Sequence, residues 1–226
     1  MKKLGLIASL MLVASAVAAP AASAATRWFE AEQQNTFFYG TAGVSGFEFN
    51  AGVVGCQSMT YEGFQQPKTS ETLTLSPTFE KCEIGGNKAV TVKMNGCSFL
   101  LHSEREVFGV SLPPVMDIVC KDADGTQTGP IVIAWEVSGT TKCEVTIGSQ
   151  AGLLKGGKAG LTFINDLKKP ISFTTTFDLD GIAYTQHAGT GAGACTGESD
   201  VDGTFVSTAK ILGHDSKNFA VGVLYG

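Results

Sequence analysis

Apolar residues in this chain recur at every second position, and no stretch after the first 24 residues sustains an i, i+3, i+4, i+7 apolar pattern for three turns. Ile171, Phe173, Thr175, Phe177 and Leu179 fall on one side of an extended segment, with Ser172, Thr174, Thr176, Asp178 and Asp180 on the other. Ile131, Ile133, Trp135 and Val137 alternate in the same way with Val132, Ala134, Glu136 and Ser138. Side chains with a period of two line the two faces of a β-strand, so the pattern predicts a half-buried sheet. Further strands are expected at Phe47–Asn50, Met59–Phe64, Thr72–Leu75, Ala89–Met94, Ser98–His102, Val115–Cys120, Cys143–Ile147, Leu161–Ile164, Ile182–Gln186 and Thr204–Ile211. The 28 glycines and a charged fraction of only 16% agree with a chain of many turns. The expected fold is all-β, antiparallel and sandwich-like.

Self-similarity divides the chain. Val92–His102 aligns without gaps on Phe177–His187, which superposes Asn95-Gly96 on Asp180-Gly181 and His102 on His187. Cys56-Gln57 matches Cys143-Glu144 upstream, and Cys120 with Asp124-Gly125-Thr126 matches Cys195 with Asp202-Gly203-Thr204 downstream. Two diverged tandem β repeats are therefore expected, over 25–127 and 128–226, able to pack as one unit. Asn-Gly and Asp-Gly favour the type I′ turn, so both pairs are expected to reverse equivalent strands. An immunoglobulin-like assignment fits in part: Cys143 and Cys195 are suitably spaced, but Trp135 precedes the first cysteine instead of following it.

Residues 1–24 stand apart. Lys2 and Lys3, the apolar run Leu4–Ala19 and the small residues Ala22-Ser23-Ala24 have the form of a Sec signal peptide. Cleavage there would leave 14 basic against 21 acidic residues, a net charge of −7. An acidic chain with no long run of Lys or Arg is not expected to bind nucleic acid, and no membrane span is expected after the signal. The expectation is a secreted, extracellular protein.

All six cysteines, Cys56, Cys82, Cys97, Cys120, Cys143 and Cys195, lie beyond the signal, and an even number in an exported chain predicts three disulfides. Cys143 and Cys195 belong to the second half and are expected to pair. Cys82 and Cys97 flank a strand and are too far apart to bridge if the flanking turns are tight. That leaves Cys56 with Cys82 and Cys97 with Cys120 as the preferred set, and Cys56 with Cys97 and Cys82 with Cys120 as the alternative.

Chemistry-bearing patterns are sparse. Three Asp-x-Asp-Gly tetrads place Asp122 and Asp124, Asp178 and Asp180, and Asp200 and Asp202 two residues apart. Such pairs can share a calcium ion, but none continues into an EF-hand loop, and hairpin turns are the favoured explanation. His102, His187 and His214 show neither metal-ligand spacing nor a neighbouring nucleophile on the same strand face, and a strand-end histidine bonded to backbone is the expected state. Carboxylates such as Glu48, Glu136, Asp178 and Glu198 carry no local feature that marks a hydrolase. No cofactor is expected and no catalytic residue is assigned.

Trp28, Phe37, Phe38 and Tyr39 lie close together in sequence beside Gln33, Gln34 and Asn35. Core packing explains such a cluster, and so does an exposed strip that stacks on sugar rings while the amides bond hydroxyls. With its spaced cysteines, alanine-rich signal and Asn95-Gly96-Cys97-Ser98-Phe99 block, the chain resembles small secreted β-rich, six-cysteine proteins of actinobacteria to which no function is assigned. The resemblance implies export and a disulfide-bonded β fold. The function expected is a non-enzymatic cell-surface module whose partner is cell-wall polysaccharide or a surface protein, with a secreted hydrolase or a structural matrix component as alternatives.

Overall fold

The computed structural model describes residues 27–108, 110–121, 124–137, 141–187 and 197–226. They contain strands and no helix. In chain order these are β1 (Phe29–Ala31), β2 (Thr36–Ala42), β3 (Ser45–Phe49), β4 (Gly52–Gln65), β5 (Thr69–Ser70), β6 (Thr72–Ile84), β7 (Lys88–Lys93) and β8 (Cys97–His102). There follow β9 (Arg105–Val107), β10 (Val110–Leu112), β11 (Val115–Cys120), β12 (Ile131–Val137), β13 (Thr141–Ile147) and β14 (Gln150–Leu153). The last are β15 (Leu161–Asp166), β16 (Ser172–His187), β17 (Ser199–His214), β18 (Ala220–Val221) and β19 (Val223–Tyr225).

One antiparallel sheet of fourteen strands dominates. It runs β6-β7-β12-β13-β16-β17-β2-β4, and β4 pairs back onto β6, so part of the sheet closes on itself. A regular barrel does not result, because the longest strands change partners along their length. β6 pairs with β8 over Thr72–Leu75 and with β7 over Cys82–Ile84. β16 pairs with β15 in its first half and with β13 near its end. Strands from the two expected repeats share this sheet: β7 lies beside β12, and β17 lies between β16 and β2.

The alternation of the sequence is the alternation of burial. Along β2 and along β8, every other side chain is inside. The inward set meets in an aromatic core in which Phe205 lies 4.8 Å from Phe47, 5.5 Å from Phe99 and 5.8 Å from Phe177, with Tyr61 stacked on Phe177. Tyr61 donates its hydroxyl to Ser207, which also bonds Ser45, and burial pushes its phenol well above the ordinary tyrosine range. A second cluster of Phe29, Phe163, Phe173 and Tyr225 seals the small sheet β19-β1-β5, where Trp28 and Gly226 exchange backbone hydrogen bonds.

Disulfides join Cys56 to Cys82 and Cys97 to Cys120, the preferred set. Each pair stands directly opposite in register, across β4–β6 and β8–β11 respectively. Cys143 is also disulfide-bonded, whereas Cys195, its expected partner, lies outside the described residues.

The two Asx-Gly pairs do not act as hairpins. At Asn95-Gly96 a tight turn forms, with φ of 48° and 82° and a hydrogen bond from Cys97 N–H to Met94 C=O. Its flanking strands nevertheless do not pair with each other. Both run antiparallel to β6, β7 at its carboxyl end and β8 at its amino end, so the turn carries the chain from one end of β6 to the other. Asp180-Gly181 makes no reversal at all and lies within β16. Only Gly181 has positive φ, 72°, and the register with β17 shifts between Leu179 and Ile182 and again between Ile182 and Tyr184. These shifts are β-bulges, one on each strand, and the second falls on the Asp200–Gly203 tetrad. The expected strands at 171–180 and 182–186 are therefore one strand whose inward phase switches from odd to even residues at the bulge.

Candidate functional site

The outward face of β17-β2-β4 presents aromatic rings to solvent. Phe37 stands between His214 and Phe64, and Tyr39 between Leu212 and Glu62. The odd residues of β2 face out: Phe37 is 46% and Tyr39 39% exposed, and Phe64 on β4 is 49% exposed. The Phe37 and Phe64 rings lie 5.0 Å apart with planes tilted by 47°, which makes a notch and not a flat shelf. A groove of about 600 Å³ runs alongside, lined by Phe37, Tyr39, Glu62, His214, Asp215 and Asn218 among others. Its far wall is the turn after β17, fixed because Asp215 accepts the backbone N–H of Lys217 and of Phe219.

Phe38 corrects the expected aromatic strip. It sits on the even phase of β2 and is 2% exposed, so it belongs to the core. Its neighbours in register are Gly63 and Gly213, two positions without a side chain, which leave room for the ring. A Cβ at Gly63 would lie 2.5 Å from the Thr74 carbonyl oxygen, so glycine there also lets β4 approach β6. Trp28 is 39% exposed but lies just before β1, beside the small sheet, where its backbone pairs with Gly226. Gln33, Gln34 and Asn35 form the bend between β1 and β2 and do not line the groove. Of the expected set, Phe37 and Tyr39 are brought together, and Phe64 joins them. Phe64 was missed although its phase shows it: Met59 and Tyr61 alternate inward, so the residue three places after Tyr61 points outward.

The aspartates of the tetrads are engaged within the fold. Asp178 pairs with Lys155 at 2.6 Å and raises its pKa; Asp180 accepts the Gly156 N–H at 2.8 and 2.9 Å. Asp200 accepts from Asn50 Nδ2, Asp202 from the Tyr184 hydroxyl, and Asp124 from the Thr126 N–H. Asp122 lies outside the described residues. The expectation that all three tetrads are hairpin turns fails for 178–181 and 200–203, which are bulges: Asp178, Asp180 and Asp200 dock neighbouring loops, and Asp202 bonds Tyr184 on β16. Among the described residues no three His, Cys, Asp or Glu side chains converge as a metal would require.

The histidines are dispersed. His102 bonds Asp117 at 2.9 Å, and Asp117 also accepts the Gly152 N–H, which ties β8, β11 and β14 together. His187, superposed on His102 in the repeat alignment, bonds Thr146 on β13. At His102 a side chain, not the expected backbone group, thus serves the ring. His214 alone lines the aromatic groove. No protein-family model matches the chain, and neither a curated protein nor a solved structure shows significant similarity to it.

Proposed function

We propose that the chain is an exported, non-catalytic binding protein that holds polysaccharide in the groove of β2, β4 and β17. The observation that carries this reading is the outward phase of Phe37, Tyr39 and Phe64 on adjacent strands. Large apolar rings in that phase contribute little to the core, and grouped on one face they offer C–H/π contact to sugar rings. Carboxylate, imidazole and amide groups at the rim supply the directional hydrogen bonds that fix a hydroxylated ligand. Export fits the disulfides, which persist in oxidising compartments.

The test is retention on isolated cell walls and on a glycan array, with the native chain beside a Phe37→Ala/Tyr39→Ala/Phe64→Ala variant. All three side chains point outward, so the variant should keep its fold by circular dichroism and lose binding about tenfold or more, as loss of stacking contacts worth ~1–3 kcal/mol would give. Equal retention of the two proteins, or none by either, defeats the proposal.

A further inference from the structure

We infer that the groove selects glycans bearing protonated amino groups, of the glucosamine type. This inference rests on the polysaccharide reading and specifies its ligand class. Three features of the groove point the same way. The first is the aromatic wall: half-exposed Phe37 and Tyr39 line the groove, and the Phe37 ring is tilted by 47° to that of Phe64 at 5.0 Å, so the wall offers separate ring faces and not one flat shelf. A compact cation is attracted to such faces, whereas a neutral pyranose gains most from a flat one.

The second is the sign of the rim. Glu62 is opposite Tyr39 and two residues from Phe64 on the same strand face, and Asp215 follows His214, the partner of Phe37. Two backbone N–H groups hold Asp215 in place. The third is the lack of competing cations. Among the described residues no Lys or Arg lines the groove, and His214 is its single basic side chain. Lys210, one outward position along β17 from Leu212, is committed to Asp166 at 3.3 Å. The Lys168 backbone N–H and then Lys210 hold that carboxyl below the usual aspartate range. Lys217 lies on the turn without lining the groove. An amine on a pyranose thus finds π-faces and carboxylates within one groove, and an N-acetyl group, which removes the charge, loses both interactions.

Calorimetry of the full chain with glucosamine oligomers and with N-acetylated oligomers of equal length, in mildly acidic buffer of low ionic strength that keeps the amines protonated, decides the matter. The glucosamine series should bind about tenfold more tightly, a preference that Glu62→Gln should reduce to about twofold. Glu83→Gln, which removes an equal charge from β6 outside the groove, should leave the preference intact. Equal binding of both series, abolished by Phe37→Ala/Phe64→Ala, overturns the selection for amines and leaves the polysaccharide reading standing. Binding of neither series overturns both. Displacement by oligolysine as effective as by glucosamine oligomers, or an equal effect of Glu83→Gln, shows that bulk charge governs and likewise overturns the inference.

Discussion

Phe37 and Phe38 are the same side chain one residue apart, yet the strand assigns them opposite tasks. Phe38 is enclosed between Gly63 and Gly213, so Phe38→Ala should cost ~3–5 kcal/mol through lost burial and a residual cavity. Phe37→Ala should change stability by about 0.5 kcal/mol or less, since the ring is half in water. Urea melts of the two variants check this, and similar midpoints would contradict the assigned phase of β2. The sequence contained this distinction only in part. Thr36, Phe38, Gly40 and Ala42 are the inward set, but three of the four are small or polar and two of the outward ones are aromatic, so hydrophobicity alone does not reveal the phase. Phase becomes legible where the inward residues are large, as at Met59 and Tyr61, and from there the exposure of Phe64 follows.

At the scale of elements, strand positions were readable and connections were not. Val115–Cys120 was expected and is observed residue for residue, whereas β6 extends from Thr72 through Ile84, past the expected end at Leu75. Pro77 conceals that extension, since a proline cannot donate to a ladder. It is tolerated because, among the described strands, β6 pairs there with β4 alone, β8 having stopped at Leu75 and β7 starting at Cys82. The bulge at Gly181 has a sequence signature in hindsight: two alternating runs, ending at Leu179 and resuming at Ile182, are out of phase by one residue. Asp180 then projects where its carboxylate receives the Gly156 N–H. Replacing it by Ala should speed hydrogen exchange at the Gly156 amide about tenfold, as loss of a charge-assisted bond worth ~1.5 kcal/mol would give, with the exchange of β16 core amides unchanged. An unchanged Gly156 amide would show that the Gly156-Gly157 turn holds itself in place.

For the molecule as a whole, the two described disulfides have unequal positions although the chain segments they enclose, 23 and 26 residues, are alike. Loop entropy assigns each about 3 kcal/mol. Cys56–Cys82, however, staples β4 to β6, the pairing that closes the sheet on itself, while Cys97–Cys120 staples β8 to β11, a branch off that circuit. A Cys56→Ser/Cys82→Ser variant should therefore lower Tm more than Cys97→Ser/Cys120→Ser and broaden the thermal transition, because an opened circuit loses cooperativity between its two halves. Calorimetry of both variants measures this, and equal, sharp transitions would mean that core packing alone keeps the circuit shut.

The pairing of β1 with β19 fixes the order in which the protein can be completed. A nascent chain still lacking residues 223–225 has no partner for Glu30 and Ala31 on that side, and Phe29 lacks the Tyr225 ring beside it. Until that point β1 has, among the described strands, only β5 as a partner, with Phe163 and Phe173 beside the Phe29 ring. Residues 29–31, made nearly two hundred residues before their β19 partner, thus gain that flank only once residues 223–225 have been made.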